Sequence, residues 1–193
     1  MSLFFETIKV DKKRAFNLKY HHKRMQKTIF DNFSVKKSFD LNSLIMPPDD
    51  KFYRCKIIYD KKIKNIDFYR YTPRVIKSFK LVNSDINYNY KSTDRSKIDK
   101  LFMKKGNCDD IIIIKNDLVT DTSIANIAFF YEGRWITPAT PLLKGTMREK
   151  LLNEKKIFLE KISIKELKFI KKLAIMNALI GFKIINNFKI EER

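Results

Sequence analysis

Hydrophobic and polar positions along this chain switch between two periods, and the switches outline its elements. Phe4–Val10 alternates as a strand does, and the polar stretch Asp11–Arg14 marks a turn. Met25, Ile29 and Phe33 then recur at i, i+4 and i+8, which predicts a helix of about three turns or more from near Lys19. His21, Arg24 and Thr28 lie along another face of it. Phe52–Tyr59, Asn65–Tyr71 and Ser78–Val82 are rich in β-branched and aromatic residues and read as strands, while Met46–Asp50, with Pro47 and Pro48, reads as a loop. A helix is expected from about Asp94 to Lys105, ended by Gly106. Ile111–Ile114 is a fully apolar strand that turns at Lys115–Asp117 into Leu118–Thr120, and Asn126–Tyr131 pairs with Arg134–Thr137 across Glu132-Gly133. Thr146 with Glu149, and Ser163 with Glu166, each have the form of a capping box, so a helix is predicted at each. The second helix should run to about Ile180 and, being apolar around much of its circumference, should be buried in the core or at a subunit contact. The class is α+β, with a small N-terminal lobe over 1–82, a linker near Val82–Asn87 and a larger C-terminal lobe over 83–193.

At 193 residues the chain can bury one ordinary core or two small lobes. The net charge of +19 invites a nucleic-acid reading, since clustered cations neutralise phosphates. The lysines are instead spread over the whole length, with no basic tail, Arg-rich block or zinc-finger spacing, so a solvated Lys-rich surface that draws in anionic small molecules is the better reading. Cys55 and Cys108 stand far apart without a C-x-x-C pair, and neither a metal site nor a disulfide framework is expected. The opening residues lack a basic segment followed by an apolar one, and no apolar run approaches bilayer length. These features predict a cytoplasmic protein with neither a nucleic-acid nor a membrane partner.

The segment Val119–Arg148 carries the most specific pattern: Asp121, Ser123, Asn126, Ile127, Thr137, Leu143, Gly145 and Arg148. It resembles the cofactor-binding core of the class IV aminotransferases, the fold type IV pyridoxal phosphate enzymes. That family includes branched-chain and D-amino acid aminotransferases and 4-amino-4-deoxychorismate lyases. Its usual form is Glu-x-small-x-x-Asn-apolar, a Thr after a turn, then apolar-x-Gly-x-x-Arg. Thr120–Asn126 and Thr137–Thr146 are similar almost residue for residue to a short subfamily of the group. Upstream, Tyr90-Lys91-Ser92-Thr93-Asp94-Arg95 resembles the family's Lys-Thr/Ser-x-Asn/Asp-Arg segment, and His21-His22-Lys23-Arg24-Met25 its His-x-x-Arg-Leu/Met helix segment. The resemblance covers nearly everything from Phe4 to Asn177. Ala128 departs from it, standing where an aromatic usually follows.

The resemblance implies a two-lobed fold with a barrel-like C-terminal lobe carrying the Schiff-base lysine, the cofactor at the lobe interface, and a homodimer. The cofactor would be pyridoxal 5'-phosphate. Lys91 would hold it and act on the substrate. Asp121, where most members have Glu, would keep the pyridine nitrogen protonated. Arg24 and the first N–H groups of a helix at Thr146 and Met147 would meet the phosphate. Ser123 and Asn126 complete the cofactor set, Asn126 together with Thr137 bracing strands, and His21 would be a structural partner. Small size and the Gly-Thr-Met-Arg and Phe-Glu-Thr-Ile-Lys segments look more like the lyase, which forms 4-aminobenzoate and pyruvate for folate synthesis. An aminotransferase acting on branched-chain or D-amino acids is the alternative, and a non-catalytic basic binding protein the third reading. The ligands of the substrate's carboxylate stay open among Arg54, Tyr69, Arg70, Arg74 and Lys77.

Overall fold

A computed structural model describes residues 2–192. The chain divides into two compact units, the first reaching to Pro73 and including Tyr90–Asp94, the second made of Arg74–Asn89 and everything from Arg95 onward.

In the first unit β1 (Phe4–Asp11), β2 (Arg14–Ala15), β3 (Tyr53–Tyr59) and β4 (Ile63–Arg70) form an antiparallel sheet in the order β2-β1-β3-β4. Helix α1 (Leu18–Phe33) and the single turn α2 (Leu41–Leu44) complete the unit. Strand alternation puts Phe4, Ile8 and Val10 with Tyr53, Cys55, Ile57 and Tyr59 in one core, against the stripe Met25 and Ile29 of α1. Glu6 sits in that same buried row, completely inaccessible.

The Lys91 segment returns to this sheet. The Phe5 N–H donates to the Lys91 carbonyl at 2.9 Å, the Thr93 N–H to the Leu3 carbonyl at 2.9 Å, and Phe4 and Ser92 form an antiparallel bridge. The boundary expected after residue 82 therefore falls nearer Pro73. Lys91 is built into the N-terminal unit, not the C-terminal lobe, because its backbone completes the hydrogen bonding of β1.

The second unit is built on β5 (Ser78–Asn83), α3 (Ser96–Phe102), β6 (Asp110–Lys115), β7 (Leu118–Thr122), β8 (Asn126–Tyr131), β9 (Arg134–Pro138), α4 (Thr146–Asn153) and β10 (Phe158–Glu160). After these come β11 (Leu173–Asn177), β12 (Gly181–Ile185) and β13 (Lys189–Glu191). The sheet order is β10-β9-β8-β7-β6-β5-β13, and β11 pairs with both β8 and β12, so the sheet branches. The middle of β6, Ile111–Ile114, is apolar because both its faces are covered: Ile112 and Ile114 join the core with Phe79, Ile127 and Phe129, while Ile111 and Ile113 pack with Leu101 of α3.

The helix expected from Ser163 to Ile180 is not there. The Ser163/Glu166 capping box forms, but it opens only a 3₁₀ turn, Ile164–Phe169, after which Ile170 is extended and Leu173–Asn177 becomes a central strand. Leu173, Ala174, Ile175 and Met176 are all buried between β8 and β12, and an unbroken apolar run of that kind fits a two-sided strand as well as a helix. Asn177 caps the reversal by accepting from the Leu179 and Ile180 N–H groups. The box expected of Thr146 and Glu149 does not form, although the helix does. α4 is capped by Gly145, Thr146 is its first helical residue, and Glu149 donates its N–H to the Gly145 carbonyl. Among the described residues no helix is long and apolar enough to cross a membrane.

Candidate active site

Each unit carries part of the candidate constellation. In the first, Glu6 meets two side chains from one face of α1. His21 Nδ1 lies 2.6 Å from its Oε2, Arg24 Nε donates to Oε1 at 2.8 Å, and Arg24 Nη2 donates to Oε2. Burial alone would raise the Glu6 carboxyl, but the Arg24 charge and the His21 contact overcome it and hold the group at about 2. The His21 pKa is also lowered, which favours its neutral form: burial and the charges of Arg24 and Lys91 outweigh the pull of Glu6. A neutral imidazole donating from Nδ1 follows. Its Nε2 is buried without a hydrogen-bond partner among the described residues. Arg24 is thus gripped along one edge of its guanidinium, which fixes its plane, and Lys91 Nζ lies 4.4 Å from the centre of the Phe5 ring.

In the second unit the Thr-Asp-Thr-Ser-x-Ala-Asn motif makes a tight reversal. The Thr122 hydroxyl accepts from the Ala125 N–H at 3.1 Å, the Thr122 N–H donates to the Ala125 carbonyl at 2.9 Å, and Asp121 comes opposite Asn126 in register. Asn126 Nδ2 donates to Asp121 Oδ1 at 2.6 Å and to the Leu143 carbonyl at 2.8 Å, while the Leu143 N–H donates to Asp121 Oδ2 at 2.9 Å. This closed ring ties the acid to the loop that leads into α4. Gly145 is required by it, since a Cβ there would lie 2.0 Å from Asn126 Oδ1. Thr137 donates its hydroxyl to the Ile127 carbonyl at 2.7 Å, and the buried Arg148 donates Nη2 to the Pro138 carbonyl at 2.7 Å.

Burial pushes the Asp121 carboxyl up to about 7, against the Leu143 N–H, the Asn126 amide and the Arg148 charge. Each carboxylate oxygen keeps acceptor capacity beyond the bond it already accepts. A protonated ring nitrogen is the kind of partner that would return such a carboxyl to its charged form, and in this respect the donor set suits a pyridoxal cofactor. Ser123 is buried, its carbonyl accepting from Arg95 at 3.0 Å. Thr146 is buried at the helix start, and the Met147 side chain packs with Leu151, Ile157 and Met176, which leaves only its backbone N–H for an anion.

The residues that sequence reasoning overlooked are Glu6, which grips Arg24, and Arg95, which clamps the Ser123 turn. Glu6 had a visible signal, a carboxylate in phase with Phe4, Ile8 and Val10 on the buried side of β1.

The model of the amino-transferase class IV family matches residues 58–188. The chain belongs to the class IV aminotransferases. It is therefore a member of a pyridoxal phosphate-dependent enzyme family. An uncharacterised protein of Haemophilus influenzae is 37% identical over 183 residues, covering 92% of this chain and 97% of that one. A crystal structure from Haemophilus somnus, named as a candidate 4-amino-4-deoxychorismate lyase, is 34% identical with a TM-score of 0.87, covering 94% of this chain and 98% of the other. The fold IV transaminase of Curtobacterium pusillum has a TM-score of 0.77 at 16% identity, covering 100% of this chain and 80% of its own, a likeness of fold alone.

Proposed function

We propose that this protein is a pyridoxal phosphate-dependent 4-amino-4-deoxychorismate lyase, releasing 4-aminobenzoate and pyruvate for folate synthesis. The observation that carries this reading is its similarity, over nearly the whole of both chains, to the Haemophilus somnus protein named as a candidate for that activity. Support comes from an ordered Lys91 segment and from a buried acid, Asp121, at the family's position.

When bound, the cofactor supplies an electron sink for the carbon that bears the substrate's amine. Lys91 would hold it and, once displaced by that amine, would take the proton from the same carbon through Nζ and return it to the departing enolpyruvyl group. Loss of pyruvate leaves the ring aromatic. Arg24, its plane set by Glu6, would face the phosphate with the N–H groups of Thr146 and Met147, Asp121 would meet the ring nitrogen, and Ser123 and Asn126 would support it. We further place the protein in the cytoplasm as a homodimer.

The second reading is an aminotransferase acting on branched-chain or D-amino acids, favoured by the family match itself. It uses the same residues and differs in where Lys91 delivers the proton. Supplying 4-amino-4-deoxychorismate to cofactor-loaded enzyme with no 2-oxo acid separates the two. Sustained release of pyruvate and 4-aminobenzoate is expected, and turnover only of amino acids, only with 2-oxoglutarate or pyruvate as acceptor, would remove the lyase reading.

A further inference from the structure

The face of the first unit's sheet that points away from α1 is unusually cationic. Register places Phe5, Thr7 and Lys9 of β1 beside Ile58, Lys56 and Arg54 of β3, and these beside Asn65, Asp67 and Tyr69 of β4. Two ammonium groups lie against one ring: Lys91 Nζ is 4.4 Å and Lys56 Nζ 5.5 Å from the centre of Phe5. Arg54 stands two residues further along β3 on the same face, about 7 Å away at strand rise. Its guanidinium lies 4.9 Å over the Tyr69 ring, and its Nε is buried with no hydrogen-bond partner among the described residues.

The acids nearby are engaged elsewhere. Asp67 accepts from Asn65 at 2.7 Å and from the Tyr69 hydroxyl at 3.2 Å, and Asp11 pairs with Lys9 at 3.7 Å. Neither Lys56 nor Arg54 has a carboxylate within ion-pair distance among the described residues. A buried guanidinium N–H without an acceptor is costly, and a planar, stacked fork is the group best shaped for a carboxylate.

We propose that this face reads the acid groups of the substrate, Lys56 taking a carboxylate close to the amine held at Lys91 and Arg54, flanked by Lys9, taking a second one. The substrate class is a cyclic amine carrying two carboxylates. The inference deepens the lyase reading and rests on it for the place of the amine. A small monocarboxylate amino acid would leave Arg54 unfilled.

Calorimetric titration with isophthalate, a flat dicarboxylate, and benzoate, its monocarboxylate control, tests the assignment on cofactor-loaded and cofactor-free protein at fixed ionic strength. Isophthalate should bind about ten- to hundredfold more tightly than benzoate. Arg54→Gln and Lys56→Gln should each erase most of that preference, Arg54→Lys should restore part of it, and Lys36→Gln, on an exposed lysine, should leave it intact. Isophthalate should also shield Arg54 from phenylglyoxal in the unmodified protein, read by mass spectrometry, which needs no variant to fold. Equal affinity for the two acids, a preference indifferent to both glutamine variants, or no shielding of Arg54 would overturn the inference. Borohydride trapping of the cofactor on Lys91 in the same samples keeps the two readings apart. Trapping without dicarboxylate preference sinks the subsite alone, and preference without trapping sinks the enzyme reading alone.

Discussion

Replacing Glu6 by Gln isolates the charge on which the Arg24 arrangement depends. The folded protein holds this carboxyl at about 2, against an ordinary 4.5. A group whose pKa is depressed on folding contributes stability that is present above its unfolded value and lost as pH falls through its folded one. A gap of roughly two and a half units corresponds to about 3 kcal/mol, present at pH 7 and gone near pH 2. Glu6 is fully buried, so solvent does not screen this contribution. Glu6→Gln keeps the shape and removes the charge, leaving Arg24, whose side chain is 14% exposed, and His21 with a neutral partner. Urea unfolding of cofactor-free protein followed by far-ultraviolet circular dichroism should show the variant about 3 kcal/mol less stable at pH 7. The gap should close as pH drops from 4.5 toward 2, because wild-type Glu6 then becomes the neutral group that Gln imitates. A gap under about 1 kcal/mol at pH 7, or one that does not change with pH, would refute the idea that an ionised Glu6 holds α1 to β1.

Further outcomes follow from the same geometry. Gly145→Ala would drive a Cβ into Asn126 Oδ1, and because that amide is held by two bonds it cannot simply swing aside, so thermal or chemical unfolding should show a loss of about 2–4 kcal/mol. Asp121 runs opposite to Glu6: its carboxyl is raised from 3.8 to about 7, so its neutral form favours the cofactor-free fold at low pH and that benefit is lost as pH rises through 7. Asp121→Asn should accordingly gain stability relative to wild type between pH 4 and pH 8, by up to about 4 kcal/mol, and a flat difference across that range would contradict the burial argument. Arg24→Ala should weaken cofactor retention about ten- to hundredfold in an absorbance titration. An unchanged affinity would remove Arg24 from the phosphate.

Local pattern carried much of this fold. β1, α1 and β3 have two- or 3.6-residue periods strong enough to read directly, because each has one buried and one wetter face, while the hairpins around residues 116 and 132 are marked by their turn residues. Where both faces are buried the period disappears, and Leu173–Met176 then looks the same as a core helix until β8 and β12 claim its two edges. The capping box at Ser163 shows the other limit, since a cap fixes where a turn starts and says nothing of how far it runs. At Thr146 the motif matched and the geometry did not, because Gly145 must be the cap if the loop is to press against Asn126.

The candidate residues divide along a similar line. Asp121, Asn126, Gly145 and Arg148 lie within one short stretch, so their spacing reports a local structure, and the structure explains each position: the Thr122 reversal sets Asp121 against Asn126, and the ring through Leu143 makes Gly145 obligatory. Glu6 and Arg24 are joined only by packing of α1 on β1, and no spacing rule connects them. What betrays such a pair is an acid in phase with buried strand positions and a cation in phase with buried helix positions. Neither can go under alone at tolerable cost, so each implies the other.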